Sequence, residues 1–126
     1  MIIDTSAVVA IMRRETDWVH FERAIDESFE RFMSASSVLE LSIVLRGAAD
    51  PEIDNFIETM NIEILDVDSS HLRWARHANR AYGRHSGSPA KLNFGDCLVY
   101  GAAMSTGKPL LFKGDDFGHT DVPSVL

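Results

Sequence analysis

The stretch Met1-Ile2-Ile3-Asp4-Thr5-Ser6-Ala7-Val8-Val9-Ala10-Ile11-Met12 decides the fold class. Met1 to Ile3 reads as a short buried strand that runs straight into an acid. Beyond the acid, Ala7, Val8, Ile11 and Met12 recur at helical spacing, which predicts a helix over Thr5–Arg14. The same alternation continues along the chain. Thr16 or Asp17 is placed to cap a helix carrying Trp18, Phe21, Ile25 and Phe29, and Phe32–Ala35 reads as a strand. Ser36 or Ser37 would cap a helix to about Gly47 whose apolar residues cover almost every side, the pattern of a buried helix. Further helices are expected from Asp50-Pro51, from Ser69 or Ser70 to about Tyr82, and from Gly95-Asp96 to about Gly107. Strands are expected at Ile62–Val67 and Pro109–Phe112, with a last short one in Val122–Leu126, and Gly83–Phe94 reads as a polar loop. Short apolar strands alternating with helices imply an α/β domain with a mostly parallel sheet covered on both faces.

A chain of 126 residues suits one domain, 1–126, with one substantial core. No apolar run approaches the ~20 residues of a membrane span, and Asp4 with no preceding basic residue makes the start a poor secretory leader. Cys97 is the only cysteine, which excludes an intrachain disulfide and a multi-cysteine zinc site and agrees with a cytoplasmic protein. The net charge of −7 argues by itself against nucleic acid. Its distribution argues the other way. Ser69 to Gly95 contains no acid and holds Arg73, Arg76, Arg80, Arg84 and Lys91.

Three acids lie in apolar surroundings that ordinarily exclude them: Asp4 in MIIDTSAVVAIM, Glu40 in SSVLELSIVL and Asp96 in LNFGDCLVYGAAM. None has a Lys or Arg within four residues. If they converge they also repel, at about 4 kcal/mol for two unit charges ~4 Å apart in an effective dielectric of ~20. A divalent cation answers both difficulties. Asp4 ends a strand, where ligands gather in open α/β sheets, and Asp96 opens a helix, whose positive end favours an anion. Asp115 and Asp116 follow the strand at Leu110–Phe112. Each acid also has a plain structural reading. Asp4 and Asp96 fit helix N-caps, Ser37-Val38-Leu39-Glu40 has capping-box spacing, and Asp115-Asp116 sits in a turn. With oxygen ligands only, Mg2+ or Mn2+ is favoured over zinc.

Four segments in order carry a resemblance: Ile2-Ile3-Asp4-Thr5-Ser6-Ala7, Ser36-Ser37-Val38-Leu39-Glu40, Asn93-Phe94-Gly95-Asp96-Cys97 and Pro109-Leu110-Leu111-Phe112-Lys113-Gly114-Asp115-Asp116-Phe117, with Thr120-Asp121-Val122 closing the set. Together they resemble the PIN-domain ribonucleases, specifically VapC toxins of toxin–antitoxin pairs. The resemblance implies a three-layer α/β/α fold and Mg2+-dependent endonucleolytic cleavage of RNA, often structured RNA such as tRNA. It assigns metal binding to Asp4 and Asp96, completion of the acidic cluster and positioning of the attacking water to Glu40, and a hydroxyl contact to Thr5 or Ser6. The fourth acid is Asp115 or Asp116, with Asp116 favoured by the Asp-Phe pair. It also implies a homodimer and a cognate VapB-like antitoxin whose tail blocks the acidic pocket.

Arg73, Arg76, Arg80 and Arg84 fall at i, i+3, i+7 and i+11, a basic face if the helix runs that far, with Leu72, Ala75, Ala78 and Tyr82 opposite. That face suits an RNA phosphate track, an acidic antitoxin segment or plain solvation. Cys97 reads as a core thiol, and Trp18 and Trp74 as packing or dimer contacts. Two rival functions remain at this level. One is an aspartate phosphoacceptor or phosphatase using Asp4, against which Ser6 stands where a second Asp is usual. The other is an inactive RNA- or protein-binding module of the same fold.

Overall fold

The computed structural model describes residues 1–126. In chain order the elements are β1 (Ile2–Ile3), α1 (Thr5–Met12), α2 (Trp18–Asp26), β2 (Phe32–Ser34), α3 (Ala35–Val44), α4 (Asp50–Thr59), β3 (Glu63–Leu65), α5 (Ser69–Tyr82), α6 (Phe94–Thr106) and β4 (Leu110–Leu111). The strands are parallel and ordered β3-β2-β1-β4. Ile2 stands opposite Phe32 and Leu110, and Ile3 opposite Leu111. The segment expected as a last strand contributes only a single bridge, Leu110 to Ser124.

Period-two alternation divides the core. Ile3, Met33 and Leu111 point to one face of the sheet, with α1, α2, α3 and α4 residues such as Val8, Phe21, Ile25, Leu41 and Ile53. Ile2 and Leu110 point to the other, with Ala75 and Ala78 of α5 and Val99, Tyr100 and Ala103 of α6. The result is the three-layer architecture expected from the sequence. Helices α5 and α6 approach so closely that a Cβ on Gly101 would collide with the carbonyl oxygen of His71. The end of the chain is pinned to this layer by a 2.7 Å hydrogen bond from the Tyr100 hydroxyl to Asp121 Oδ1, with Val122 buried beside it.

Several local expectations are corrected. Helix α3 is capped by Ser34, whose hydroxyl accepts from the Ser36 amide, so Ser37 lies inside the helix. Its hydroxyl is buried without a partner, and the Ser37–Glu40 capping box does not form. The cap of α5 is Asp68, which accepts from the Ser70 and His71 amides. Helix α3 is not buried all round: Leu39 and Ile43 are 64% and 69% exposed. Phe29 lies beyond α2 and is fully exposed. Gly83 ends α5 in an extended conformation, so Arg84 is not on the helix and the basic face stops at Arg80. Leu72, expected on the core side of α5, is 51% exposed.

Leu41 is 0% exposed at the centre of the larger core. Leu41→Ala is expected to cost about 2–5 kcal/mol in urea unfolding, whereas Phe29→Ser should stay within about 0.5 kcal/mol.

Candidate active site

Asp4 follows β1 directly, between the strand that leads to β2 on one side and β4 on the other, at the point where the order of the sheet reverses. Its amide donates to the Leu111 carbonyl at 2.9 Å, so the sheet fixes its backbone. Its side chain caps α1. Asp4 Oδ2 accepts from the Ser6 amide at 3.0 Å and the Ser6 hydroxyl at 2.5 Å. Ser6 Oγ in turn accepts from the Lys113 amide at 2.9 Å, tying Asp4 to the segment that leaves β4. Thr5 makes a different bond: its hydroxyl donates to the Ser37 carbonyl and joins α1 to α3. Asp4 is therefore an N-cap, but a cap only 5% exposed, and burial pushes its carboxyl above the ordinary range. The Ser6 bonds pull the other way and the Glu40 charge adds to the rise.

Asp96 is held in a complete capping box. Its Oδ2 accepts from the Asn93 amide at 3.0 Å, while Asn93 Oδ1 accepts from the Asp96 amide at 2.8 Å. The cap is thus Asn93, and Asp96 is the third helical residue. The Asn93-x-x-Asp96 spacing carries that signal in the sequence. Partial burial raises the Asp96 carboxyl to about 6, and the charges of Asp4, Asp116 and Glu40 contribute to the rise. Glu40 projects from the second turn of α3 toward the start of α6, where a Cβ on Gly95 would stand 2.5 Å from Glu40 Oε2. Of the adjacent pair in the turn after β4, Asp116 is the acid whose charge reaches Asp96. Four acids from four separate elements therefore share one end of the sheet.

In both Asp4 and Asp96 the hydrogen bonds land on Oδ2, which leaves Oδ1 of each without a hydrogen-bond donor from the protein. As placed, no three of the acidic, His or Cys side chains stand close enough together to hold a metal ion. The acids able to offer a ligand oxygen are therefore taken singly, Asp4 and Asp96 each through one oxygen.

A device not visible in the sequence steadies the segment carrying Asp116. The Lys113 ammonium is paired with Glu15 and, at 2.7 Å, with Asp17, both in the connection between α1 and α2. Of Thr16 and Asp17, Asp17 takes the N-cap position of α2, but its side chain makes no capping bond. The predicted arginines do not act as one set. Arg76 and Arg84 line a groove beside α6, while Arg73 and Arg80 are exposed on α5 outside it.

A family model described as PIN domain matches residues 1–123. The chain belongs to the PIN-domain family. Ribonuclease VapC28 of Mycobacterium tuberculosis is 45% identical over 130 residues, spanning 100% of this chain and 98% of that protein. Ribonuclease VapC42 of the same organism is 43% identical over 126 residues, spanning 97% and 96%. A VapC ribonuclease of Mycobacterium bovis is 41% identical over 131 residues, spanning 99% and 98%. Within the family the chain falls among the VapC ribonucleases. A chain of a toxin–antitoxin complex from Klebsiella pneumoniae has the same fold, with a TM-score of 0.69 over 92% of this chain and 88% of that one, at 12% identity. No helix is long and apolar enough to cross a membrane.

The raised Asp96 carboxyl makes a signed prediction for protein freed of divalent ions. Its unfolded value is near 3.8 and its folded value about 6, so the native state binds the proton more tightly. Native stability is then favoured below pH ~4, falls as pH rises toward 6 and is flat above it. Asp96→Asn, whose amide oxygen can keep the Asn93 bond, should melt higher than the parent at pH 7 in EDTA and converge with it near pH 4. The difference should be on the order of 1 kcal/mol once solvent screening is allowed for. Parallel melting curves across that range would contradict it.

Proposed function

We propose that the chain is a metal-dependent endoribonuclease, the toxin of a toxin–antitoxin pair, which hydrolyses RNA phosphodiesters at the acidic cluster. The observation that carries this reading is the convergence of Asp4, Glu40, Asp96 and Asp116 at one end of the sheet, with an Asp96 carboxyl raised to about 6. Such a concentration of negative charge repels a phosphate backbone unless a cation stands between them. The names of the VapC relatives, matched over nearly the whole chain, support the same activity.

In this reading Asp4 and Asp96 would hold Mg2+, with Mn2+ as a substitute, since the hydrogen bonds of each carboxylate engage Oδ2 alone. A bound cation of this kind lowers the pKa of a water and neutralises charge on the phosphodiester oxygens. Glu40, which is not engaged in a cap, orients the attacking water. Asp116 completes the cluster from the β4 side. Ser6 keeps Asp4 aimed by donating to Oδ2 while receiving the Lys113 amide. The solved toxin–antitoxin neighbour supports an antitoxin as partner of this fold, and we extend that to a VapB-like antitoxin for this chain. The exposed Leu39 and Ile43 of α3 suit a homodimer contact.

Asp4→Asn, Glu40→Gln and Asp96→Asn should each reduce Mg2+-dependent RNA cleavage by two orders of magnitude or more without unfolding the protein. Melting curves should show that Mg2+ stabilises the parent and no longer stabilises Asp4→Asn. Full cleavage by Glu40→Gln would remove its assigned role. Gly95→Ala is a sharper test of geometry. The new methyl would crowd the far end of the Glu40 side chain, 2.5 Å from Oε2, while meeting Asn93 Oδ1 at an ordinary 3.5 Å, and alanine favours a helix. The variant should melt no lower than the parent while cleavage falls at least tenfold.

A further inference from the structure

A groove of about 570 Å3 opens between α5 and the start of α6, next to the acidic cluster. Leu72 and Leu92 give it apolar walls, and Arg76 and Arg84 stand along it. Asn93 and Phe94 join it to the cluster, because Asn93 exchanges two hydrogen bonds with Asp96. Phe94 is 83% exposed, although it is the first residue of a helix whose following turns are buried. Nothing within the fold explains a bare phenyl ring at that position.

The charges narrow the occupant. No ion pair in the protein involves Arg73, Arg76, Arg80 or Arg84. No acid occurs between Ser69 and Gly95 in a chain of net charge −7. Unpaired guanidiniums are ready for phosphates, and an exposed aromatic ring beside an apolar wall is ready for a flat base. A duplex already covers the faces of its bases, so only an unpaired nucleotide can use the ring.

We propose that this groove is a subsite for an unpaired RNA nucleotide next to the bond that is cut. Its base stacks on Phe94 over the apolar wall, and the flanking phosphates meet Arg76 and Arg84. The inference rests on the ribonuclease reading above and adds to it where, and in what form, the substrate is held.

The test uses the full chain carrying Asp4→Asn, so that RNA stays intact. Binding is followed by fluorescence anisotropy with two probes of equal length and charge: a random-sequence 12-nucleotide single strand and its abasic counterpart. Phe94→Ala should weaken the base-bearing probe about tenfold, the effect of one base–aromatic stack, and leave the abasic probe unchanged. Phe94→Tyr should restore binding. Arg76→Glu with Arg84→Glu should weaken both probes and lower the salt slope by roughly 1.4, for two phosphates at about 0.7 each. Equal effects of Phe94→Ala on the two probes would overturn the subsite. So would a change of sedimenting mass in Phe94→Ala, which would make the groove a protein interface. Cleavage by the parent chain on the same single strand with Mg2+ separates the two readings. Cleavage with no Phe94 effect removes the subsite alone, and neither binding nor cleavage removes the ribonuclease reading with it.

Discussion

A carboxyl group at position 4 is carried into a place where it is almost wholly cut off from water, and the arrangement around it answers that constraint. Burial and the nearby Glu40 charge both oppose its ionisation, while the Ser6 amide and hydroxyl favour it. The backbone has no freedom to relieve the conflict, because Asp4 is bonded through its amide to β4. Moving Asp4 toward solvent would break the sheet at its centre. The like charges are therefore held together by the fold, and the fold in turn bears the repulsion when no cation is present.

Much of this was legible in the sequence because it rests on local patterns. Apolar strands ending in acids, helices with caps and the order of the four acidic segments all follow from periodicity and residue type. Asp4 and Asp96 also show that a cap and a candidate ligand need not be alternatives. Each spends one oxygen on the helix and keeps the other. What the sequence hid depends on contacts between distant segments. Lys113 pairs with acids 96 and 98 positions away, and no local rule foretells that. Ser36 and Ser37 both look like caps, but the strand β2 ends one residue earlier than periodicity suggests, and Ser34 takes the role. The apolar residues of α3 are indistinguishable by composition from those of a fully buried helix. Only the sheet and its covering helices decide that Leu41 faces inward and Ile43 outward.

The division of charge is the complementary theme. Acids are concentrated where β1, α3, α6 and the segment after β4 meet, and the cations of α5 are left unpaired nearby. A polyanion approaching such a surface is repelled by the whole and attracted by one side. Long-range attraction thus governs orientation more than overall affinity, and its influence fades as salt shortens the Debye length.

A two-residue strand inside a sheet, as β1 is, leaves no slack. Ile2 feeds one hydrophobic layer and Ile3 the other, so adding or removing one amino acid before Asp4 would exchange the two layers and turn the carboxylate away from its neighbours. A shift of register here would disturb both core layers and the acidic end of the sheet together, whereas the connection after α3 carries no buried residue at Gly47–Ala49. The spacing of the opening residues acts as a ruler that sets which side chain meets which layer.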